Sequence, residues 1–234
     1  MHAPPRSRQG AAPRRRSPAG GYPRGEETRS RIIAAALKVF AAEGFDRGST
    51  RAIAAEAGVP PPALQYYFEG KEGLHRACAE FIIETINPAL AEPTARAEAT
   101  LAGGSPQAAR EALCALLEAV AEFIATSPDA EIRSRFLGRG QSDSAGPAFP
   151  LIRDRITRPV HAICSRLVAQ ALGTEPEGAE TRLRASVILG ALTPFHTNRD
   201  NTLAIMGWRD FSGDRLAIIK TVLRAHTCAA LSSP

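Results

Sequence analysis

Residues 49–74 read Ser-Thr-Arg-Ala-Ile-Ala-Ala-Glu-Ala-Gly-Val-Pro-Pro-Pro-Ala-Leu-Gln-Tyr-Tyr-Phe-Glu-Gly-Lys-Glu-Gly-Leu, two short helical patterns hinged on one glycine. Helices this short are not stable alone and depend on packing against each other. The spacing predicts a first helix over 50–57, with the hydroxyl of Ser49 or Thr50 accepting from an orphan backbone N–H. Its inner face is Ile53, Ala54 and Ala57, small enough for a second helix to pass close by. Gly58 supplies the sharp turn without the steric cost of a Cβ. Val59 fills the angle, and Leu64 and Phe68 complete a small core from a second helix over about 61–68. Two helices crossing over a short glycine turn make a helix-turn-helix, which presents one helix end to the major groove of DNA. Helix pairs of this spacing also occur in proteins that bind no DNA, so the surrounding sequence has to decide.

Upstream, Ile33, Ala36, Leu37 and Phe40 fall at helical spacing and stop at Gly44-Phe45. Downstream, Leu74, Cys78, Phe81, Ile82 and Ile86 share a face of a helix expected from near Lys71 to Pro88. Residues 88–105, rich in Ala, Gly, Pro and Thr, read as a loop or frayed link. Ser105-Pro106 is a helix start, a cap followed by proline at the first position. Leu113, Leu116, Leu117, Val120, Phe123 and Ile124 then form a broad stripe ending at Ser127-Pro128. A short helix over 130–137, a Gly/Ser/Pro loop over 138–147 and a long helix over 150–172 follow. Two more helices are expected, one from near Pro176 with Leu183, Val187, Ile188 and Leu192, and one over 213–230. No strand alternation and no internal repeat appears, so the chain reads as all-α.

With 234 residues there is material for one medium domain or two small ones. The net charge of +5 is misleading, because residues 1–25 hold Arg6, Arg8, Arg14, Arg15, Arg16 and Arg24 and no acid. Removing those six leaves 23 basic side chains against 24 acidic ones. The Pro/Gly/Ser-rich arm cannot bury a core and is expected to be disordered on its own. Such an arm can neutralise phosphates or enter a minor groove, or be a solvated tail without function. Cys78, Cys114, Cys164 and Cys228 form no Cys-x-x-Cys pair, which suits buried thiols in a reducing compartment. No run approaches the roughly 20 apolar residues of a membrane span, and no apolar region follows the arginine triplet as in an export signal. A soluble, cytoplasmic protein with no membrane partner is expected.

The stretches Ile-Ile-Ala-Ala-Ala-Leu-Lys-Val-Phe-Ala-Ala-Glu-Gly-Phe, Ser-Thr-Arg-Ala-Ile-Ala-Ala-Glu-Ala-Gly-Val and Tyr-Tyr-Phe-Glu-Gly-Lys-Glu-Gly-Leu resemble, without a gap over about residues 26–87, the N-terminal domain of the TetR/AcrR family of bacterial transcriptional regulators. Farther on, Arg-Phe-Leu-Gly-Arg-Gly, Ile-Arg-Asp-Arg-Ile-Thr-Arg-Pro-Val-His and Met-Gly-Trp-Arg-Asp-Phe are similar to the ligand-binding half of the CecR/CerR-type subgroup. The resemblance implies a basic arm over 1–25, a helix-turn-helix DNA-binding domain over 26–87 and a helical ligand-binding and dimerisation domain over 88–234. It also implies a homodimer, joined by the helices at about 177–196 and 213–230. Such a dimer binds a palindromic double-stranded DNA operator, more often as a repressor, and a small-molecule inducer releases it. An activator, or a nonspecific DNA-binding protein relying on the arm, is the alternative.

The resemblance places Thr50 and Arg51 near the DNA backbone and groove edge, where a guanidinium can grip phosphate or reach guanine O6 and N7. Position 60, usually a capping serine in the family, is proline and opens Pro60-Pro61-Pro62. Each proline removes a donor and discourages helix in the residue before it, so the second helix is expected to begin late. Gln65-Tyr66-Tyr67-Phe68 stands where many members have Tyr-Tyr-His-Phe. Gln65 can read adenine bidentately, while Tyr66, Tyr67 and Lys71 are phosphate candidates. Pro61, Pro62 and Ala63 offer thymine methyl groups apolar contact. Core packing is the alternative role for Tyr66 and Tyr67.

For the inducer, Arg133, Arg139, His161, Arg166 and His196 are polar groups on otherwise apolar helices, with Phe136, Phe195 and Trp208 as candidate walls. Each could also be a surface or salt-bridged residue. His161 with Cys164, and His226 with Cys228, fall short of the four closely spaced ligands of structural zinc, so no metal is expected. No nucleophile elbow, phosphate loop or carboxylate pair is present, so neither a catalytic site nor a cofactor is expected.

Overall fold

The computed structural model describes residues 23–142 and 146–232, the side chains of 23 and 140–142 excepted. All regular structure among them is helical. Helices α1 (Pro23–Arg47), α2 (Thr50–Ala57) and α3 (Pro62–Phe68) surround a core built on Phe40, Ile53, Leu64 and Phe68. The helix α1 begins inside the stretch expected to be arm, and residues 1–22 of that arm lie outside the described residues. It breaks at Gly44 (φ 80°, ψ 172°), where the apolar spacing stops.

Local signals set the α2–α3 corner. Ser49 Oγ accepts from Ala52 N at 3.1 Å, and Gly58 closes α2 in the left-handed region at φ 64°. A residue with a Cβ would be strained there. The helix α3 starts at Pro62 with no side-chain cap, one residue late as the prolines predict.

Tertiary contacts override local signals elsewhere. The helix expected to end near Pro88 continues as α4 (Lys71–Leu101), with both Pro88 and Pro93 inside it. An interior proline costs about 3 kcal/mol, but Leu90 and Ala97 beyond it are buried and α4 packs along α5 (Pro106–Thr126). The cap at Ser105 forms as expected, accepting from Ala108 N at 3.2 Å. After it, α6 (Ala130–Ser142) outruns its expected end at 137, because Arg139 is tied to α1 through the carbonyls of Ala41 and Ala42.

Next, α7 (Ala148–Ile152), a π-helical turn (Arg153–Thr157) and α8 (Arg158–Leu172) run on without a break in helical backbone. The wide turn ends just before Pro159, whose ring would crowd a carbonyl of the preceding turn in a regular α-helix. The helices α9 (Ala179–Gly190), α10 (Arg199–Met206) and α11 (Asp214–Ala230) complete the second half. Of these, α10 had no counterpart in the sequence reading.

Two cores result. The first joins the α1–α3 head to Phe136, Ala148 and Ile152, and the second binds α5, α8, α9 and α11 through Leu113, Leu117, Leu167, Ile188 and Leu223. The head is thereby welded to α6 and α7 rather than carried on α4 alone. All four cysteines are free thiols. Cys114 and Cys228, distant in sequence, bring their Sγ atoms to 3.9 Å. Burial, then the neighbouring Cys228, pushes the Cys114 thiol up to about 12. Among the described residues no helix is long and apolar enough to cross a membrane.

Candidate nucleic-acid interface and ligand cavity

The α2–α3 pair divides cleanly into two faces. Ile53, Ala54, Ala57, Leu64 and Phe68 are buried, while Arg51, Pro61, Pro62, Gln65 and Tyr66 are exposed. Tyr66 is 82% exposed, which removes the core reading for it. Tyr67 is half-buried against the head core, with its ring edge-on to Tyr66 at 5.0 Å. Thr50 and Ala63 are half-buried at the edges of the exposed face. Lys71 is engaged inside the head: its Nζ donates to the Asp46 carbonyl at 2.9 Å and lies 4.8 Å from the centre of the Phe45 ring. It clasps α4 to the end of α1, a role that spacing could not reveal.

The prolines have a consequence for phosphate contact. Pro60, Pro61 and Pro62 carry no N–H, and the next two donors are already used: Ala63 N bonds the Pro60 carbonyl at 2.9 Å and Leu64 N the Pro61 carbonyl at 3.2 Å. A helix start usually offers free N–H groups to anions. Here the start of α3 offers none, so DNA contacts from this helix must come from side chains.

In the second half, a cavity of about 490 Å³ opens between α4, α5, α6, the α7–α8 rod and the segment after α9. Its wall is largely apolar, with Arg133, Ser134, Thr157, His196 and Thr197 among its polar groups. Arg133 and His196 therefore stand in the cavity. Burial lowers the pKa of both, and for Arg133 the charge of Asp129 opposes that shift.

The other expected pocket residues do not line it. Phe136 is buried behind the wall, stacked on the lining residue Phe149 at 5.9 Å. Arg139 is held by the α1 carbonyls. His161 Nε2 meets Ser186 Oγ at 2.8 Å and the Arg182 carbonyl at 3.2 Å, pinning α8 to α9. Arg166 pairs with Glu98 at 3.0 Å. Phe195 and Trp208 pack on the buried Phe211. Except for Trp208, three residues from Phe211, a partner distant in sequence takes the group. Thr197, Phe123 and Phe149 were missed because nothing in their local sequence distinguishes them from ordinary core or loop residues.

One buried group connects cavity and head. The His75 ring sits 4.8 Å from Phe40, 4.7 Å from Phe45, 5.1 Å from Phe136 and 5.9 Å from Phe149. Its Nδ1 accepts from Ala148 N at 3.2 Å. Burial, then the Lys71 charge, lowers its pKa to about 4. The unfolded chain, with an ordinary histidine, takes up a proton first as pH falls. Stability is therefore full above about pH 6.5 and drains between there and about pH 4, by about 3 kcal/mol in all. Urea unfolding at pH 7 and pH 5 should show about 2 kcal/mol of this loss, and His75→Asn, which keeps an acceptor but does not titrate, should flatten it. An equal pH slope in that variant would clear His75 of the effect.

Comparison with known proteins fits this geometry. Residues 32–78 match the family model "Bacterial regulatory proteins, tetR family", and residues 109–233 match "HTH-type transcriptional dual regulator CecR, C-terminal domain". The chain is 31% identical over 205 residues to the HTH-type transcriptional dual regulator CecR of Shigella flexneri, covering 87% of this chain and 91% of that protein. Over 57 residues it is 44% identical to the HTH-type transcriptional regulatory protein RaaS of Mycobacterium tuberculosis, covering 24% of this chain and 26% of the other. Its fold is shared by a TetR-like transcriptional regulator from Rhodococcus sp. RHA1, with a TM-score of 0.62 at 22% identity over 88% of this chain and 97% of that one. With a helix-turn-helix head and a CecR-type helical body, the chain belongs to the TetR family of DNA-binding transcriptional regulators.

Proposed function

We propose that this regulator is a cytoplasmic homodimeric repressor that binds a palindromic operator and lets go when a small molecule fills the cavity. Residues 26–87 act as the DNA-binding domain and 88–234 as the ligand-binding and dimerisation domain. The observation that carries the reading is the two-faced α2–α3 pair, with Arg51, Gln65 and Tyr66 exposed over a buried Ile53, Leu64 and Phe68. Dimerisation is supported by apolar pairs four residues apart left in solvent, Leu183 and Val187 on α9 and Ile218 and Val222 on α11. Release is supported by the ring chain from Phe149 in the cavity wall through His75 to Phe40. A ligand that prefers one position of α6 and α7 shifts the population of head positions, and with it the spacing of the two heads.

Selection of bound sequences from random duplex DNA at near-physiological salt tests the proposal. A palindrome with half-sites about 34 Å apart, one turn of the duplex, is expected. No enriched sequence would overturn it in favour of nonspecific binding. On the selected site, Gln65→Ala should cost about 1–3 kcal/mol at one base position, as for loss of a bidentate adenine contact. Equal loss across all single-base variants would contradict that assignment. A second reading, activation at some promoters, draws on the Shigella relative, which is named a dual regulator. A reporter whose output falls on deletion of the gene would favour it.

A further inference from the structure

Two guanidinium groups of the second half are buried, and that of Arg133 lines the cavity. Arg133 on α6 is 9% exposed and Arg199 on α10 is 8% exposed. Among the described residues neither takes part in an ion pair. Arg133 uses only two of its five donors, Nη1 to the Pro128 carbonyl at 3.4 Å and Nη2 to Ser127 Oγ. Its other neighbour is the face of Phe123, 4.8 Å away. Arg199 lies 4.7 Å from the centre of the Phe211 ring, and its buried Nη1 has no partner. The two charges are close enough for Arg199 to act on Arg133.

The polar groups beside them are equally unmatched. His196 Nδ1 and Thr197 Oγ1, both on lining residues, are buried without a hydrogen-bond partner. Among the described residues no aspartate or glutamate lines the cavity, whereas Arg133 and Arg153 do. The acid whose charge acts on Arg133 is the exposed Asp129, just before α6. A buried charge is costly unless it is paired, and an aromatic face compensates only in part. The missing partner is an anion, and the apolar walls require that its body be greasy.

We propose that the cavity takes an amphipathic organic anion, its acidic head on Arg133 beside His196 and Thr197 and its apolar body along Phe123, Phe149 and Leu137. About 490 Å³ is room for a drug-sized molecule. The inference rests on the cavity being the inducer site and specifies the chemistry that site selects. The neutral His196 and the hydroxyl of Thr197 can each donate to the head, and the unused Arg133 donors add charge-assisted bonds. Arg199, which does not line the cavity, is a second positive charge that acts on Arg133.

Two fluorescent probes of one ring skeleton, 8-anilino-1-naphthalenesulfonate and N-phenyl-1-naphthylamine, differ by the anionic group and test this on the full chain. The sulfonate should bind at least tenfold more tightly. Arg133→Met should abolish that preference while leaving the uncharged probe within twofold. In the unaltered protein dodecanoate should displace the sulfonate at a tenfold lower concentration than methyl dodecanoate, a comparison that needs no variant. Equal affinity for both probes, or equal displacement by acid and ester, overturns the anion and leaves the cavity as an inducer site. Sulfonate binding that ignores Arg133→Met overturns it as well. If none of the four molecules binds or releases operator, the inducer-site reading falls with it.

Discussion

Gly73→Ala is expected to destabilise the protein by about 3 kcal/mol and to abolish specific operator binding. Gly73 lies in the first turn of α4, where the end of α3 runs directly across it. A Cβ there would lie 1.8 Å from the Phe68 carbonyl oxygen and 3.0 Å from its carbon. Those atoms are backbone and cannot rotate away as a side chain would. The clash must therefore push α3 off α4 or distort the start of α4. Phe68 is part of the head core, so either response also opens the packing under Gln65 and Tyr66. Chemical denaturation gives the stability loss, and titration of the selected operator gives the binding loss. A variant with unchanged stability and full affinity would mean that the close approach of α3 to α4 does not exist in solution.

The second large effect concerns assembly. Val187→Glu combined with Val222→Glu should weaken dimerisation at least a thousandfold, about 4 kcal/mol, and reduce operator affinity in parallel. Both side chains are more than half exposed in the single chain. Charging them should therefore change the folding of one subunit by less than about 0.5 kcal/mol. In a twofold interface each substitution occurs twice, which sets four carboxylates against apolar surface with no partner. Sedimentation velocity should show monomer, with circular dichroism and melting little altered. A variant that remains a dimer with full operator affinity would place the interface elsewhere.

The head was largely legible from sequence because its signals are local. The Ser49 cap, the Gly58 turn, the late start of α3 after the prolines and the break at Gly44 each depend on residues within a few positions. The exposed face of Arg51 and Gln65 follows from the same helical period that buries Ile53 and Leu64. Lys71 escaped this logic because Asp46 and Phe45, which hold it, lie on another helix. The cavity was legible only in Arg133 and His196. A polar residue on an apolar helix announces a partner but does not say which. Ser186 proved to be that of His161 and Glu98 that of Arg166, and the carbonyls of Ala41 and Ala42 took Arg139.

The amino-acid sequence by itself determined the helical class, the reading head and its membership of a regulator family. Helical period, caps and turn residues act over a few positions and need no distant partner to be recognised. Tertiary structure alone decided that α4 passes through two prolines, that α6 extends to meet α1, and that His75 bridges head and cavity. It also decided that Arg133 and Arg199 are buried with no ion pair among the described residues. Those outcomes depend on energies of contact between residues far apart in the chain, which outweigh local propensity once a core has formed.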